Sequence, residues 1–146
     1  MNQKGIEKMG RFSVDLEITN YADLLLAEQG HLDQAKVRRK VIQGIVDFGA
    51  SRMVLPESLV KELGLPIWKS KTKVKYADGR RALRREVGGV YLKLQGRFGI
   101  FTAIAEPKRE TALIGAIVLE DLDFLVDCKK LCLVPRDPDY VLSEIE

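Results

Sequence analysis

Side chains that bind transition metals are scarce in this sequence. Its 146 residues include one histidine, His31, and two cysteines, Cys128 and Cys132. A closed metal site takes about four donors, most of them Cys or His, so these three side chains are too few to build one. We therefore expect no metal site, and we expect both thiols to be reduced and buried.

Long apolar runs are also missing. No stretch approaches the roughly 20 apolar residues that a helix needs to cross a bilayer. Residues 1–8 contain no apolar run of signal-peptide length. We expect a cytoplasmic protein without a membrane partner.

The sequence has almost no excess of one sign of charge. It contains 24 basic and 21 acidic residues, which give a formal charge of +3. So weak an imbalance says little about partners. Positive charge is concentrated at residues 38–40 and 80–85, where it could meet nucleic acid, an acidic peptide or only water. Asp78, Glu86 and Glu57 lie near these clusters in sequence, which favours a solvated surface.

The apolar content, 46% of the residues, is enough for one hydrophobic core and requires no second domain. Residues 11–20 alternate between apolar and polar side chains, which predicts a half-buried strand. Apolar periodicity fades after Pro135. We divide the chain into an N-terminal tail (1–10), one domain (11–135) and a C-terminal tail (136–146).

A projecting β-hairpin is predicted around Asp78-Gly79, a dipeptide that suits tight turns because both residues tolerate positive φ. Its flanking segments, 71–77 and 80–86, are rich in Lys and Arg, so we expect the hairpin to stand out from the body.

Residues 21–36, which follow the first predicted strand, are predicted to form a short helix or another ordered excursion from the sheet. The segments after them are predicted to be mainly strands. Glycines are expected to separate the hairpin from the later strands, and Pro56 and Gly64 to bound a short helix. The predicted segments are 21–36 for the excursion, 37–46, 51–55, 90–94, 98–105 and 112–115 for strands, and 56–63 and 117–126 for helices.

Two short elements carry the strongest functional signal. Residues 46–51 read Val-Asp-Phe-Gly-Ala-Ser, and residues 113–115 read Leu-Ile-Gly and lead into an apolar segment. An Asp in a Gly-containing turn is, taken alone, more often a turn residue than a catalyst. In this order, with the 76–79 hairpin between them, the elements resemble the retropepsin-like (retroviral-type) aspartic proteases.

The resemblance implies an all-β fold: a mostly antiparallel closed barrel with one short helix after the turn strand and one C-terminal helix. It implies no metal and no organic cofactor. Asp47 would be catalytic. The resemblance further assigns Phe48, Gly49, Ala50 and Ser51 to the active-site turn, Tyr76, Ala77, Asp78 and Gly79 to a substrate-covering flap, and Leu113, Ile114 and Gly115 to support of the turn.

Hydrolysis by this chemistry takes two carboxylates that share a proton, one acting as base and the other as acid. The chain offers one Asp in a turn of the required kind, so the second must come from another copy across a two-fold axis. The expected function is a homodimeric aspartic endopeptidase that acts on a peptide or protein substrate.

Phe48 departs from the family pattern, which has Thr or Ser at this position. A phenyl ring cannot make the hydrogen bond by which the hydroxyl interlocks the two turns. One alternative is therefore a catalytically impaired dimer that serves as a peptide-binding or assembly module. A less favoured alternative is a basic β-protein that binds nucleic acid through residues 38–40 and 80–85.

Overall fold

The structure is a computed structural model that describes residues 11–146; the tail predicted at residues 1–10 lies outside this range. The longest helix has eight residues, and no helix in the described range could cross a bilayer. The strands are β1 (Arg11–Asn20), β2 (Arg39–Asp47), β3 (Met53–Pro56), β4 (Ile67–Lys75), β5 (Arg81–Leu94), β6 (Arg97–Glu106), β7 (Ala112–Ile114), β8 (Phe124–Asp127) and β9 (Cys132–Pro135). The helices are α1 (Tyr21–Glu28), α2 (Glu57–Glu62), α3 (Ala116–Asp121) and a 3-10 turn (Gln34–Lys36).

The strands build a closed barrel. Its order is β1-β2-β7-β3-β6-β5, and β5 pairs back onto β1 to complete the ring. β4 pairs with β5 outside the ring, while β8 and β9 form a separate two-stranded sheet. Only the β2–β7 and β3–β6 pairs are parallel. The predicted all-β, mostly antiparallel closed barrel is confirmed.

Alternation along the strands fills the barrel interior. Leu16 and Ile18 of β1 are buried, whereas Ser13 and Asp15 are exposed, as the sequence pattern predicts. Burial of a side chain such as Leu or Ile contributes about 1.5–3 kcal/mol. The fully buried core includes Leu16, Ile18, Val46, Met53, Leu55, Leu92 and Ile114.

The ambiguous connection at 21–36 folds into α1 and the 3-10 turn. Asn20 begins α1 as its N-cap, because its Oδ1 accepts a hydrogen bond from the Asp23 amide at 3.0 Å. Its Nδ2 donates to the Leu63 carbonyl at 2.8 Å, which fastens α1 to the end of α2. Asp23, also buried, accepts hydrogen bonds from the Arg38 amide at 3.1 Å and Nε at 2.8 Å.

The predicted break at Gly88-Gly89 is wrong, since β5 runs unbroken from Arg81 to Leu94. The β5–β6 register shifts between Val87 and Val90, and Gly89 has a φ of +60°. The two glycines form a bulge that bends one long strand so that it pairs first with β4 and then with β1.

The helix predicted at 117–126 is also too long, because α3 ends at Asp121. Asp123 takes a positive φ of 61° and turns the chain into β8, so Leu125 and Val126 lie on a strand. The Asp123 carboxylate accepts a hydrogen bond from the Leu142 amide at 3.0 Å, which anchors part of the predicted C-terminal tail.

The two cysteines lie at the β8–β9 hairpin. Both thiols are free; Cys128 is exposed in the turn and Cys132 is half-buried. The expectation that both would be buried is wrong, because β8 and β9 form a surface hairpin outside the barrel.

Candidate active site

Strand β7 lies between the two strands that flank the Asp47 turn. Val46 on β2 pairs with Ile114, and Val54 on β3 pairs with Leu113. Asp47 is the last residue of β2, so its position is fixed by a strand that is hydrogen-bonded on both sides. A carboxylate at such a strand-to-loop junction combines a rigid support with access to solvent.

The turn holds the carboxylate with backbone groups. The Ala50 amide donates to the Asp47 carbonyl at 3.0 Å, and the Gly49 amide donates to Asp47 Oδ1 at 3.0 Å. Gly49 does not adopt positive φ. A Cβ at this position would lie 3.1 Å from Asp47 Oδ1. Glycine is suited to this position because it lets the amide approach the carboxylate closely. The Asp47 side chain remains 27% exposed.

Gly115 packs directly against the exit of this turn. A Cβ on Gly115 would lie 2.7 Å from the Arg52 carbonyl oxygen and 2.8 Å from that of Ala50, closer than real Cβ atoms approach. The next two amides, of Ala116 and Ile117, donate to the Ala50 and Ser51 carbonyls at 2.8 and 3.0 Å. The Leu113-Ile114-Gly115 element therefore contacts the turn through backbone atoms.

An arginine that the sequence analysis missed lies at the carboxylate, and a second arginine lies near enough to interact with it electrostatically. Arg11 pairs with Asp47 in the β1–β2 register, and its Nε is 3.5 Å from Asp47 Oδ2. That Nε is buried and makes no hydrogen bond within the described residues. Arg109, whose Nε donates to the Thr111 carbonyl at 2.6 Å, approaches from the loop after β6. Burial, and then the charge of Arg11, lower the pKa of Arg109 from its usual high value.

Phe48 is turned outward. Its side chain is 49% exposed at the tip of the turn, beside the exposed Gly49 and Ser51. An apolar ring of this size at a turn tip is unfavourable in water and is available to pack against another surface.

The predicted hairpin, residues 71–86, is present. Its tip is closed by a hydrogen bond from the Gly79 amide to the Tyr76 carbonyl at 2.9 Å, and Gly79 has a φ of +89°. The Tyr76 hydroxyl donates to the Glu106 carboxylate, 2.8 Å from Oε2, so this ring faces the body. Burial, together with Glu106, raises the pKa of Tyr76. Ala77 and Asp78 are exposed at the tip.

Further ion pairs join the hairpin to the barrel. Arg84 Nε donates to Glu106 Oε1 at 3.0 Å. Arg52, just after the active-site turn, donates to Glu86 at the base of the hairpin at 2.8 Å and to Thr102 at 3.1 Å. The hairpin is thus connected both to the end of β6 and to the segment that leaves the turn.

A groove of about 240 Å³ opens beside Arg52. Its walls come from the start of β3, the middle of β6 and the start of α3. Five of its seven lining residues are apolar; the full set is Arg52, Met53, Ile100, Phe101, Thr102, Ile117 and Val118. Such a concave surface can receive a side chain from a bound peptide.

A family model described as aspartyl protease matches residues 34–126. The matched segment contains the Asp47 turn, the hairpin and the Leu113-Ile114-Gly115 element, and it covers more than half of the chain. Among curated proteins, none matches the sequence. The match and the barrel together lead to one assignment: this chain belongs to a retropepsin-like family of aspartyl proteases.

Proposed function

We propose that this chain is a homodimeric aspartic endopeptidase in which water is activated between the Asp47 carboxylates of two subunits. The observation that carries the proposal is the setting of Asp47, a partly exposed carboxylate held by the Gly49 amide at the end of a buried strand. Within residues 11–146, the polar groups nearest to this carboxylate are the Gly49 amide and the Arg11 guanidinium, and neither is a carboxylate.

A second copy related by a two-fold axis would supply the missing acid. Two carboxylates at hydrogen-bonding distance cannot both ionise freely, so one proton is shared between them. The ionised member removes a proton from the bound water, and the protonated member donates to the carbonyl oxygen of the scissile peptide. The pH behaviour of such a site belongs to the pair and not to one residue.

Exposed apolar side chains support the dimer. Phe48 is 49% exposed beside the proposed axis. On the β8–β9 hairpin, Leu125 and Val134 are opposite each other in register and are 52% and 40% exposed. Burial of these groups against a second subunit would contribute about 25 cal/mol for each Å² removed from water.

The proposed substrate is a peptide in extended conformation. It would lie between the hairpin and the body with its backbone hydrogen-bonded as an added strand, while alternate side chains enter pockets. The groove that includes Ile100 and Ile117 lies beside the exit of the turn and offers one such pocket.

The test is digestion of a peptide library by wild type, Asp47→Asn and the control Asp121→Asn. Asp121 is exposed and lies on α3, so its substitution makes the same chemical change away from the turn. We expect cleavage by wild type and the control, none by Asp47→Asn, and inhibition by a pepstatin-type transition-state analogue. Equal cleavage by all three proteins would refute the proposal.

A second candidate function is a peptide-binding module with an impaired site. It is favoured by Phe48 in the turn and by Arg11 at the carboxylate. Phe48→Thr separates the two: a large gain in hydrolysis would show that the native turn is compromised, whereas a loss would show that the phenyl contact positions the aspartates. Binding without turnover by wild type, retained in Asp47→Asn, would support the module.

A further inference from the structure

One face of the hairpin gathers basic side chains. Residues 71–75 of β4 and 81–86 of β5 alternate between exposed and half-buried, and the register places Lys71 opposite Arg85 and Lys75 opposite Arg81. Directly opposed residues and alternate residues of a strand point to the same side of a sheet. We call this exposed set the basic face: Lys71, Lys73, Lys75, Arg81, Leu83 and Arg85.

Within residues 11–146, none of the five cations of the basic face forms an ion pair. Two neighbouring arginines, by contrast, each pair with a carboxylate. Arg80 pairs with Asp78 at 2.7 Å and Arg84 pairs with Glu106 at 3.0 Å.

Two of the three cations in the other basic cluster noted in the sequence are compensated as well. Arg38 pairs with Asp23 at 2.8 Å, and Lys40 pairs with Glu62 at 3.0 Å. Within residues 11–146, the cations of the two clusters that form no ion pair are Arg39, Arg81 and Arg85, and the last two belong to the basic face.

The arrangement is unfavourable for the free protein, because like charges directly opposite each other destabilise a sheet. Lysines on an exposed edge strand commonly prevent edge-to-edge aggregation, and β4 is such an edge. At Arg81 and Arg85, β5 pairs with β4 alone, so charge on both strands also protects exposed edges. Edge protection does not require cations to lie directly opposite each other, and a partner that supplies negative charge would offset their repulsion.

We propose that the basic face docks an acidic segment of a partner protein that binds in extended conformation. Same-side residues of an extended chain recur about every 6.6 Å, so acidic residues at alternate positions match the row formed by Lys71, Lys73 and Lys75. Leu83, exposed between the arginines, offers an apolar contact. The face carries no aromatic side chain for base stacking, which disfavours single-stranded nucleic acid.

This docking goes beyond peptide hydrolysis, because it does not use Asp47. Binding is measured on the full chain carrying Asp47→Asn, so that cleavage cannot remove the probe. The probe is a fluorescein-labelled peptide of alternating Glu and Ser, followed by anisotropy. The hairpin variant carries Lys71→Gln, Lys73→Gln and Lys75→Gln. The control carries Lys36→Gln, Lys129→Gln and Lys130→Gln, three exposed lysines elsewhere.

We expect the peptide to bind, and to bind more weakly as the salt concentration rises. The dissociation constant should rise about tenfold in the hairpin variant and less than about twofold in the control. The hairpin variant should unfold at a temperature no lower than its parent, because repulsion has been removed. A lower unfolding temperature would contradict the argument that the cations repel each other. In that case the binding test is repeated with the single substitution Arg85→Gln.

Three results would overturn the proposal. Equal losses in both triple variants would show a response to net charge alone. Tighter binding of oligouridylate, or of phosphatidylserine vesicles, that is lost in the hairpin variant would assign the face to nucleic acid or to a membrane. Equal binding of a peptide with the same Glu residues in one block would refute the extended, alternating geometry.

Discussion

Arg11 Nε lies 3.5 Å from Asp47 Oδ2, and the two residues are opposite each other where β1 and β2 meet the active-site turn. The guanidinium is thus the nearest opposite charge to the carboxylate on which the proposed chemistry depends. In a dimer, two such carboxylates would approach each other at the axis, and each would bring its own arginine. Arg11 would then offset the repulsion between the two carboxyl groups.

Removing this charge should weaken the dimer. In Arg11→Met we expect the dimer dissociation constant to rise roughly tenfold near neutral pH, a modest effect because both side chains are partly exposed. Sedimentation velocity measures the dissociation constant.

Arg39→Met is the control, since Arg39 is exposed at the far end of β2 and loses the same charge. If both variants weakened the dimer equally, or if neither did, Arg11 would have no specific role at the dimer axis.

Gly115→Ala tests the contact between β7 and the turn. The added methyl would lie 2.7 Å from a backbone oxygen of Arg52, so the turn must move. We expect a loss of about 1–3 kcal/mol in the free energy of unfolding. Because a displacement of about 1 Å can cost on the order of a hundredfold in rate, we also expect kcat/KM to fall by about that factor.

Gly30→Ala provides the comparison. Gly30 has a positive φ of 80°, unlike Gly115, and no atom lies within 4 Å of a methyl added at Gly30. It should cost about 1 kcal/mol of stability and leave kcat/KM unchanged. Full activity in Gly115→Ala would contradict the proposed support of the turn.

The ion pair between Asp23 and Arg38 should stabilise the fold at neutral pH and lose this effect in acid. The Arg38 side chain, and then its backbone amide, lower the pKa of Asp23 against an opposing effect of burial. A carboxyl whose folded pKa is depressed stabilises the fold above its unfolded value, about 3.9, and loses that contribution as the pH falls through the folded value. Chemical denaturation of wild type and Asp23→Asn at several pH values measures it.

We expect Asp23→Asn to lower the free energy of unfolding by about 1–2 kcal/mol at neutral pH, since Arg38 is half exposed. The difference should narrow below about pH 4. The exposed Asp121→Asn should show little difference at any pH. A gap between wild type and Asp23→Asn that persists unchanged in acid would contradict the ion-pair explanation.

Local patterns predicted what depends on local chemistry. Alternation in residues 11–20 gave β1 its bounds, and Asp78-Gly79 located the hairpin turn, because period and turn geometry are properties of a few adjacent residues. Gly88-Gly89 was misread since a bulge and a loop use the same residues. The distinction depends on β1 and β6, which pair with β5 beyond the bulge.

Contacts between distant residues could not be predicted in this way. Support of the turn by the Leu113-Ile114-Gly115 element was expected only from family resemblance, without its place between β2 and β3. The approach of Arg11 to Asp47 was missed because it depends on the β1–β2 register. The basic clusters at 38–40 and 80–85 were read as surface charge, yet Asp23 and Glu106 compensate part of each. Sequence proximity identifies charges but not their partners.

Mixing subunits tests the central claim most directly. Wild type is combined with increasing fractions of Asp47→Asn at constant total concentration, allowed to exchange, and assayed for peptide cleavage. If each site needs Asp47 from both subunits, activity follows the square of the wild-type fraction and falls to about one quarter in an equal mixture. A linear decrease, to about one half, would show that each subunit acts independently and would contradict the shared site.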